Sequence, residues 1–253
     1  MRTIIPLNGL VLFQMHHLFI WWQRSHSHLY FFNVKKESIM NTATALPDRA
    51  IKLHRFLLSG HSHRVELMLS LLKLPYQLVD VDLAAGAHKQ PAFLALNAFG
   101  QVPVIEDGDI VLADSNAILV YLASKYDDGR WLPRDPVAAA AVQRWLSVAA
   151  GPVAYGPATA RLATLFKAPV DADAAIARAN DLFKVMEVEL KSSPYLTGNT
   201  PTLADIANYT YIAHAPEGNV SLNPYPALRA WLQRIEALPG FVPMVKSAVG
   251  LAA

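Results

Sequence analysis

With 253 residues the chain can form one large domain or two small ones, and 53% hydrophobic against 17% charged residues excludes disorder as its general state. Its 22 basic and 20 acidic side chains are mixed along the sequence to a formal charge of +2, which leaves no basic stripe for nucleic acid. The absence of cysteine excludes a disulfide framework, a Cys-ligated zinc, a CxxC redox pair and a cysteine nucleophile, so thiol chemistry here must act on a thiol brought in by a ligand.

The chain opens on an apolar stretch from Ile4 to Trp22, close to the roughly 20 residues that cross a bilayer. Pro6, Asn8, Gln14, His16 and His17 interrupt it, Arg2 is the only charge before it, and no small-residue cleavage site follows. Met40 offers an alternative start that leaves a two-domain length of ordinary composition. Residues 1–49 are therefore read as an extension outside the fold, without membrane association. His16, His17, His26 and His28 show no ligand spacing and no neighbouring carboxylate, so no metal is expected there.

From Ile51 to Leu57, IKLHRFL fits a strand that SGHS breaks before a helical pattern at Val65, Met68, Leu69 and Leu72. Pro75 ends that helix and YQLVDVDL, from Tyr76 to Leu83, alternates as a second strand does, completing a βαβ unit. The loop AGAHKQ and a short helical piece around Phe93 to Leu96 lead into VPVIEDGDIVL. There Asp107-Gly108 between two apolar runs predicts the turn of an antiparallel hairpin, because positive φ is needed at its centre. Asp114-Ser115 then starts a helix carrying Ile118, Tyr121, Leu122 and Lys125.

After the linker DDGRWLPRDP only helices are predicted. Asp135-Pro136 opens one with Val142, Trp145, Leu146 and Ala149 on its apolar face, and a second covers about Asp171 to Lys191. Thr202 and Asp205 open a third in capping-box style, and Leu228, Trp231, Leu232 and Ile235 mark a fourth.

The block from Asn97 to Tyr126, NAFGQVPVIEDGDIVLADSNAILVYLASKY, resembles the N-P-x-G-x-V-P…E/D-S-x-A-I-x-x-Y-L signature of the soluble glutathione transferases, with Ala98 in place of the usual Pro. SGHSHRVEL resembles that family's first turn and helix, and TPTLADIA the capping motif of its second domain. The resemblance spans about Ile51 to Phe241. It implies an α/β thioredoxin-like domain at 50–127, βαβ-ββα with a mixed four-stranded sheet, and an all-α helical bundle at 134–250. It also implies a cytoplasmic, homodimeric enzyme of the serine-type, theta-like branch, which conjugates glutathione to a small hydrophobic electrophile in detoxification without a metal.

Under that resemblance each end of glutathione has a partner. A helix N-terminus suits a carboxylate, so Ser115 would hold the γ-glutamyl carboxylate and Asp114 the ammonium, although alone the pair reads as a helix cap. A cis bond between Val102 and Pro103 would offer the Val102 backbone to the cysteinyl peptide unit, with Gln101 and His88 nearest the glycine end. Ser59 is the first choice for the hydroxyl that holds the thiolate and Ser62 the second, with His61 as a further donor. Tyr155 and Arg161 fall where the family builds its acceptor pocket, and Asp205 is assigned to folding. His61 and His63 read as exposed or partly buried. Two rivals remain: a glutathione-dependent isomerase or dehalogenase, whose zeta-like Ser-Ser-Cys the SGHS turn lacks, and a non-catalytic binding or regulatory protein.

Overall fold

The computed structural model describes residues 46–253. The interrupted apolar stretch, the four early histidines, the start at Met40 and the extension up to residue 45 lie outside the described residues.

The first half builds β1 (Ile51–Arg55), α1 (Gly60–Leu71), β2 (Tyr76–Asp80), the short α2 (Pro91–Leu94), β3 (Val104–Asp107), β4 (Ile110–Ala113) and α3 (Ser115–Tyr126). The sheet runs β2-β1-β3-β4, with β1 parallel to β2 and antiparallel to β3, and β3 antiparallel to β4. This is the thioredoxin-like mixed sheet. Ile51, Leu53 and Ile105 point from it into a core shared with Val65, Met68 and Ile118. The hairpin turn lies one residue later than its dipeptide suggested: Asp107 is still paired with Ile110, and of the two connecting residues Gly108 takes φ +60°. Asp107 stays in the strand because its buried carboxylate accepts bonds from Tyr121, Lys125 and Tyr126 of α3 at 2.6–2.8 Å.

The second half is helical: α4 (Pro136–Ala150), a π-helical turn at Ala154–Ala158, α5 (Thr159–Leu165), α6 (Ala172–Ser192), α7 (Leu203–Ala213) and α8 (Pro226–Glu236). Four helices were expected after the linker; α5 is additional. Gly151-Pro152 and Gly156-Pro157 read as loop punctuation and hid it. The chain instead kinks at Gly156 (φ −100°, ψ −105°), where a Cβ would come within 3.0 Å of the Ala179 backbone, so glycine lets the kink lie on α6.

α1 and α3 of the first half meet α7 of the second. α1 is buried on almost every side, between the sheet and α7, and a Cβ on Gly60 would come within 2.8 Å of the Tyr211 ring. α7 is buried along nearly its whole length, which its capping box makes affordable: Thr202 and Asp205 exchange side-chain bonds at the helix start. Past α8, the tail returns over α1, where Ser70 Oγ donates to Gly240 O at 2.7 Å and His63 Nε2 meets Val242 O at 2.8 Å.

Candidate functional site

Ser59 caps α1 with extended backbone angles, and its Oγ accepts the Ser62 N–H at 3.2 Å. The side chain is half-buried and, among the described residues, its O–H has no acceptor. Ser62 differs: it is 1% exposed and its Oγ accepts the Phe56 N–H at 3.3 Å. No acidic residue sits in the first turn of α1, so the positive end of the helix dipole is left uncompensated beside Ser59.

The start of α3 makes a second positive helix end. Asp114 Oδ1 caps it by accepting Asn116 and Ala117 N–H, each at 2.9 Å. Asp114 does so at φ +71°, a conformation that costs a non-glycine residue on the order of 1–3 kcal/mol. Ser115 is buried, and its Oγ lies 3.3 Å from both Arg64 Nη1 and His61 Nδ1. His61 stacks edge-on against Tyr211 at 5.0 Å; burial, and then the Arg64 charge, hold its pKa down to about 3.

Arg64 was not singled out from the sequence. It is 1% exposed and bonds Asn116 Oδ1 at 3.0 Å, and among the described residues its Nε and Nη2 have no partners. Burial lowers its pKa to about 10, against the pull of Tyr211 and Asp114, so it remains cationic at neutral pH. A buried cation and a helix N-terminus therefore converge on Ser115 with a neutral histidine between them, which suits an anionic ligand group. The signal available in the sequence was one basic residue inside the buried run of α1.

The Val102–Pro103 bond is cis. Among the described residues neither the N–H nor the C=O of Val102 has a hydrogen-bond partner. Gln101 is exposed, with its C=O accepting Asn97 Nδ2 at 2.8 Å. Gly100, at φ +58°, brings this loop against the turn at Ala87–Lys89: a Cβ would fall 2.7 Å from His88 O. His88 and Gln101 thus belong to one loop cluster, and His88 Nδ1 is buried with no partner among the described residues.

The two residues expected at an acceptor pocket separate. Tyr155 is 64% exposed. Arg161 is turned into the interior, bonded to Glu217 and to Leu58 O, because an unpaired guanidinium could not be buried there. Asp205 accepts from Leu196, Thr202 and Trp231 and has no opening to solvent.

His63 is fully buried rather than exposed, because α7 and the returning tail cover it: Nδ1 meets Thr210 Oγ1 at 2.9 Å. Burial lowers its pKa to about 4, outweighing the bond to Val242, while His214, Arg64 and Arg55 act in the same direction as burial. A depressed imidazole contributes stability that is complete above its unfolded pKa of about 6.5 and is lost as pH falls toward 4, amounting to about 2 kcal/mol by pH 5. Unfolding free energies from urea titrations at pH 7 and pH 5 should therefore separate in the wild type and draw together by that amount in His63→Gln. Equal separations in the two proteins would discard this account.

A mixed-sheet α/β domain whose two helix N-termini open beside a cis-proline loop, joined to an all-helical domain, defines a thioredoxin-fold protein built to hold a peptide-like ligand. Residues 50–124 match the family model for the glutathione S-transferase N-terminal domain and residues 153–239 that for the C-terminal domain. Glutathione S-transferase 3 of Zea mays is 39% identical over 208 residues, covering 76% of this chain and 91% of that protein. Glutathione S-transferase theta-1 of Bos taurus is 31% identical over 203 residues, with 76% and 85% covered. The crystal structure of a glutathione S-transferase from Pseudomonas fluorescens shares 35% identity at a TM-score of 0.74, over 78% of this chain and 100% of that one. The chain belongs to the glutathione S-transferase family and is an enzyme of that kind. Among the described residues no three His, Asp or Glu side chains group as a metal site, and no helix is long and apolar enough to cross a membrane.

Proposed function

We propose that this chain works in the cytoplasm as a homodimer of the serine-type, theta-like branch, conjugating glutathione to a small hydrophobic electrophile with Ser59 as donor to the thiolate. The observation that carries this is the difference between the two serines. Each hydroxyl accepts one backbone N–H and, among the described residues, donates its hydrogen to nothing, but Ser62 is buried at 1% exposure whereas Ser59, at the mouth of α1, is half-exposed and within reach of a sulfur.

A free thiol of pKa about 8.5 is only a few per cent ionised at neutral pH, and lowering that value by two units needs about 2.7 kcal/mol. A hydroxyl bond to a charged partner supplies about 1.5–3 kcal/mol, and a helix N-terminus adds about 0.3–1 kcal/mol. The two together meet the requirement. Ser115, the α3 N-terminus and Arg64 form the place for the γ-glutamyl carboxylate, and the Asp114 oxygen not used by the cap faces the task of holding the ammonium. The unpaired Val102 N–H and C=O, beside Pro103, suit the cysteinyl peptide unit. The orphaned His88 Nδ1, with Gln101 and the α1-side His61, completes the polar lining.

In the reaction the thiolate lone pair forms the S–C bond while the displaced electron pair leaves with a halide, opens an epoxide to an alkoxide or moves to a carbonyl oxygen as an enolate, the last two then taking up a proton from water. Holding both reactants makes the step effectively intramolecular. Tyr155, exposed on the second domain, is the residue assigned to the electrophile. Phe99, 81% exposed on the loop before β3, is an aromatic side chain that a second copy would cover.

Calorimetric titration of glutathione, followed by turnover with activated aryl halides, epoxides and unsaturated carbonyls, tests the reading. Saturable binding with conjugation is expected. Binding without turnover on all three classes would remove conjugation but keep the glutathione site, and no binding would remove both.

A further inference from the structure

Arg161 of α5 and Glu217, in the 3-10 turn at Ala215–Gly218, form an ion pair at 2.5 Å with each side chain 2% exposed. Withdrawing two charges from water costs several kcal/mol, which their attraction roughly returns, so such a pair is weak evidence for stability. What it holds is more informative. Arg161 Nη1 donates to the carbonyl of Leu58 at 2.7 Å, across the boundary between the halves and one residue before Ser59.

The pair is itself tightly oriented. Glu217 Oε1 accepts the Ser247 N–H of the returning tail at 3.0 Å and meets His214 Nδ1 at 2.6 Å. The turn carrying Glu217 is pressed against α5 so closely that a Cβ on Gly218 would come within 2.6 Å of the Arg161 backbone nitrogen. Within the first half, the Ser59 turn is held by Ser59 N–H to Phe56 O at 2.9 Å and by Phe56 N–H to Ser62 Oγ. The first of these holds the N–H side of the peptide between Leu58 and Ser59, and neither holds its carbonyl side. Among the described residues the only hydrogen bond to its carbonyl comes from Arg161.

We propose that Arg161 and Glu217 are positioning residues for thiol activation: the helical half, through this buried pair, orients the Leu58–Ser59 peptide and so aims the Ser59 hydroxyl at the sulfur. The inference rests on Ser59 being the thiolate donor. Losing Arg161 leaves that peptide held on its N–H side alone, which lets it tilt, weakens the Ser59 bond to sulfur and leaves the γ-glutamyl and glycine contacts in place.

The test is the thiolate absorbance titration of bound glutathione, with kcat and KM, for wild type, Arg161→Met, Arg161→Lys, Glu217→Gln, Ser59→Ala and the Ser59→Ala/Arg161→Met double variant. Arg161→Met should raise the bound thiol pKa by about one unit and lower kcat about threefold at pH 7 and about tenfold at pH values well below the thiol pKa, following the thiolate fraction. The glutathione KM should stay within about threefold, and kcat should return toward wild type at a pH above both thiol pKa values. Arg161→Lys should recover part of the shift, and Arg161→Met should add nothing in the Ser59→Ala background. A folded Arg161→Met with the wild-type thiol curve, or with a loss that high pH does not repair, overturns the proposal. Should that variant not fold, Arg161→Lys and Glu217→Gln decide by the same curve. If Ser59→Ala itself leaves the thiol pKa in place, the Ser59 reading fails; if it moves the pKa and the Arg161 and Glu217 variants do not, only the positioning role fails.

Discussion

Ser59→Ala should raise the thiol pKa of bound glutathione by about one to two units and lower kcat/KM at pH 7 by about 3- to 25-fold, following the thiolate fraction. A hydrogen bond to a charged acceptor is worth about 1.5–3 kcal/mol, and each 1.36 kcal/mol is one unit. Part of the stabilisation survives, since the first amides of α1 remain. The same substitution removes an N-cap, which accepts the Ser62 N–H at 3.2 Å, so about 1 kcal/mol of stability should go with it. Ser62→Ala separates the two effects: it orphans the Phe56 N–H and loses stability without moving the thiol curve. A thiolate titration unchanged in Ser59→Ala and shifted in Ser62→Ala would transfer the role to Ser62.

Asp205→Ala should be strongly destabilising, costing on the order of 4 kcal/mol. Its Oδ1 accepts Leu196 N–H at 3.0 Å and Trp231 Nε1–H at 2.8 Å, and its Oδ2 accepts Thr202 N–H at 2.8 Å, with the residue fully buried. Alanine leaves three buried donors unsatisfied at about 1–3 kcal/mol each, against a total domain stability of about 5–15 kcal/mol. Asp205→Asn keeps an acceptor but turns an amide toward one of the donors, and should fall between. Urea unfolding provides the check. A loss below about 1 kcal/mol would show that water or rearrangement replaces the carboxylate. Because Asp205 lies away from Ser59, whatever variant protein still folds should keep the wild-type thiol curve.

Much of the fold was legible because its signals are local. Pro75 ends a helix, Asp135 and Thr202 start helices by satisfying their own first amides, and alternation in YQLVDVDL marks a strand. α5 was not legible, since two Gly-Pro pairs carry the composition of a loop while packing against α6 keeps the segment helical. The turn at Gly108–Asp109 was displaced by one residue for a similar reason: the partners of Asp107 are 14 to 19 positions away on α3.

The candidate site divides along the same line. The sequence by itself determined which residues are offered at each opening: two serines around a helix start, an aspartate and a serine at another, and a Val-Pro pair before a strand. Those depend on backbone chemistry within a few positions. Only the tertiary structure decided which serine is open and which is buried, that Arg64 sits beneath Ser115 from 51 positions away, that α7 buries His63 from 147, and that Arg161 reaches Leu58 across 103. A buried charge reveals its role through the partner that makes its burial tolerable, and here each partner lies on a different element of the chain.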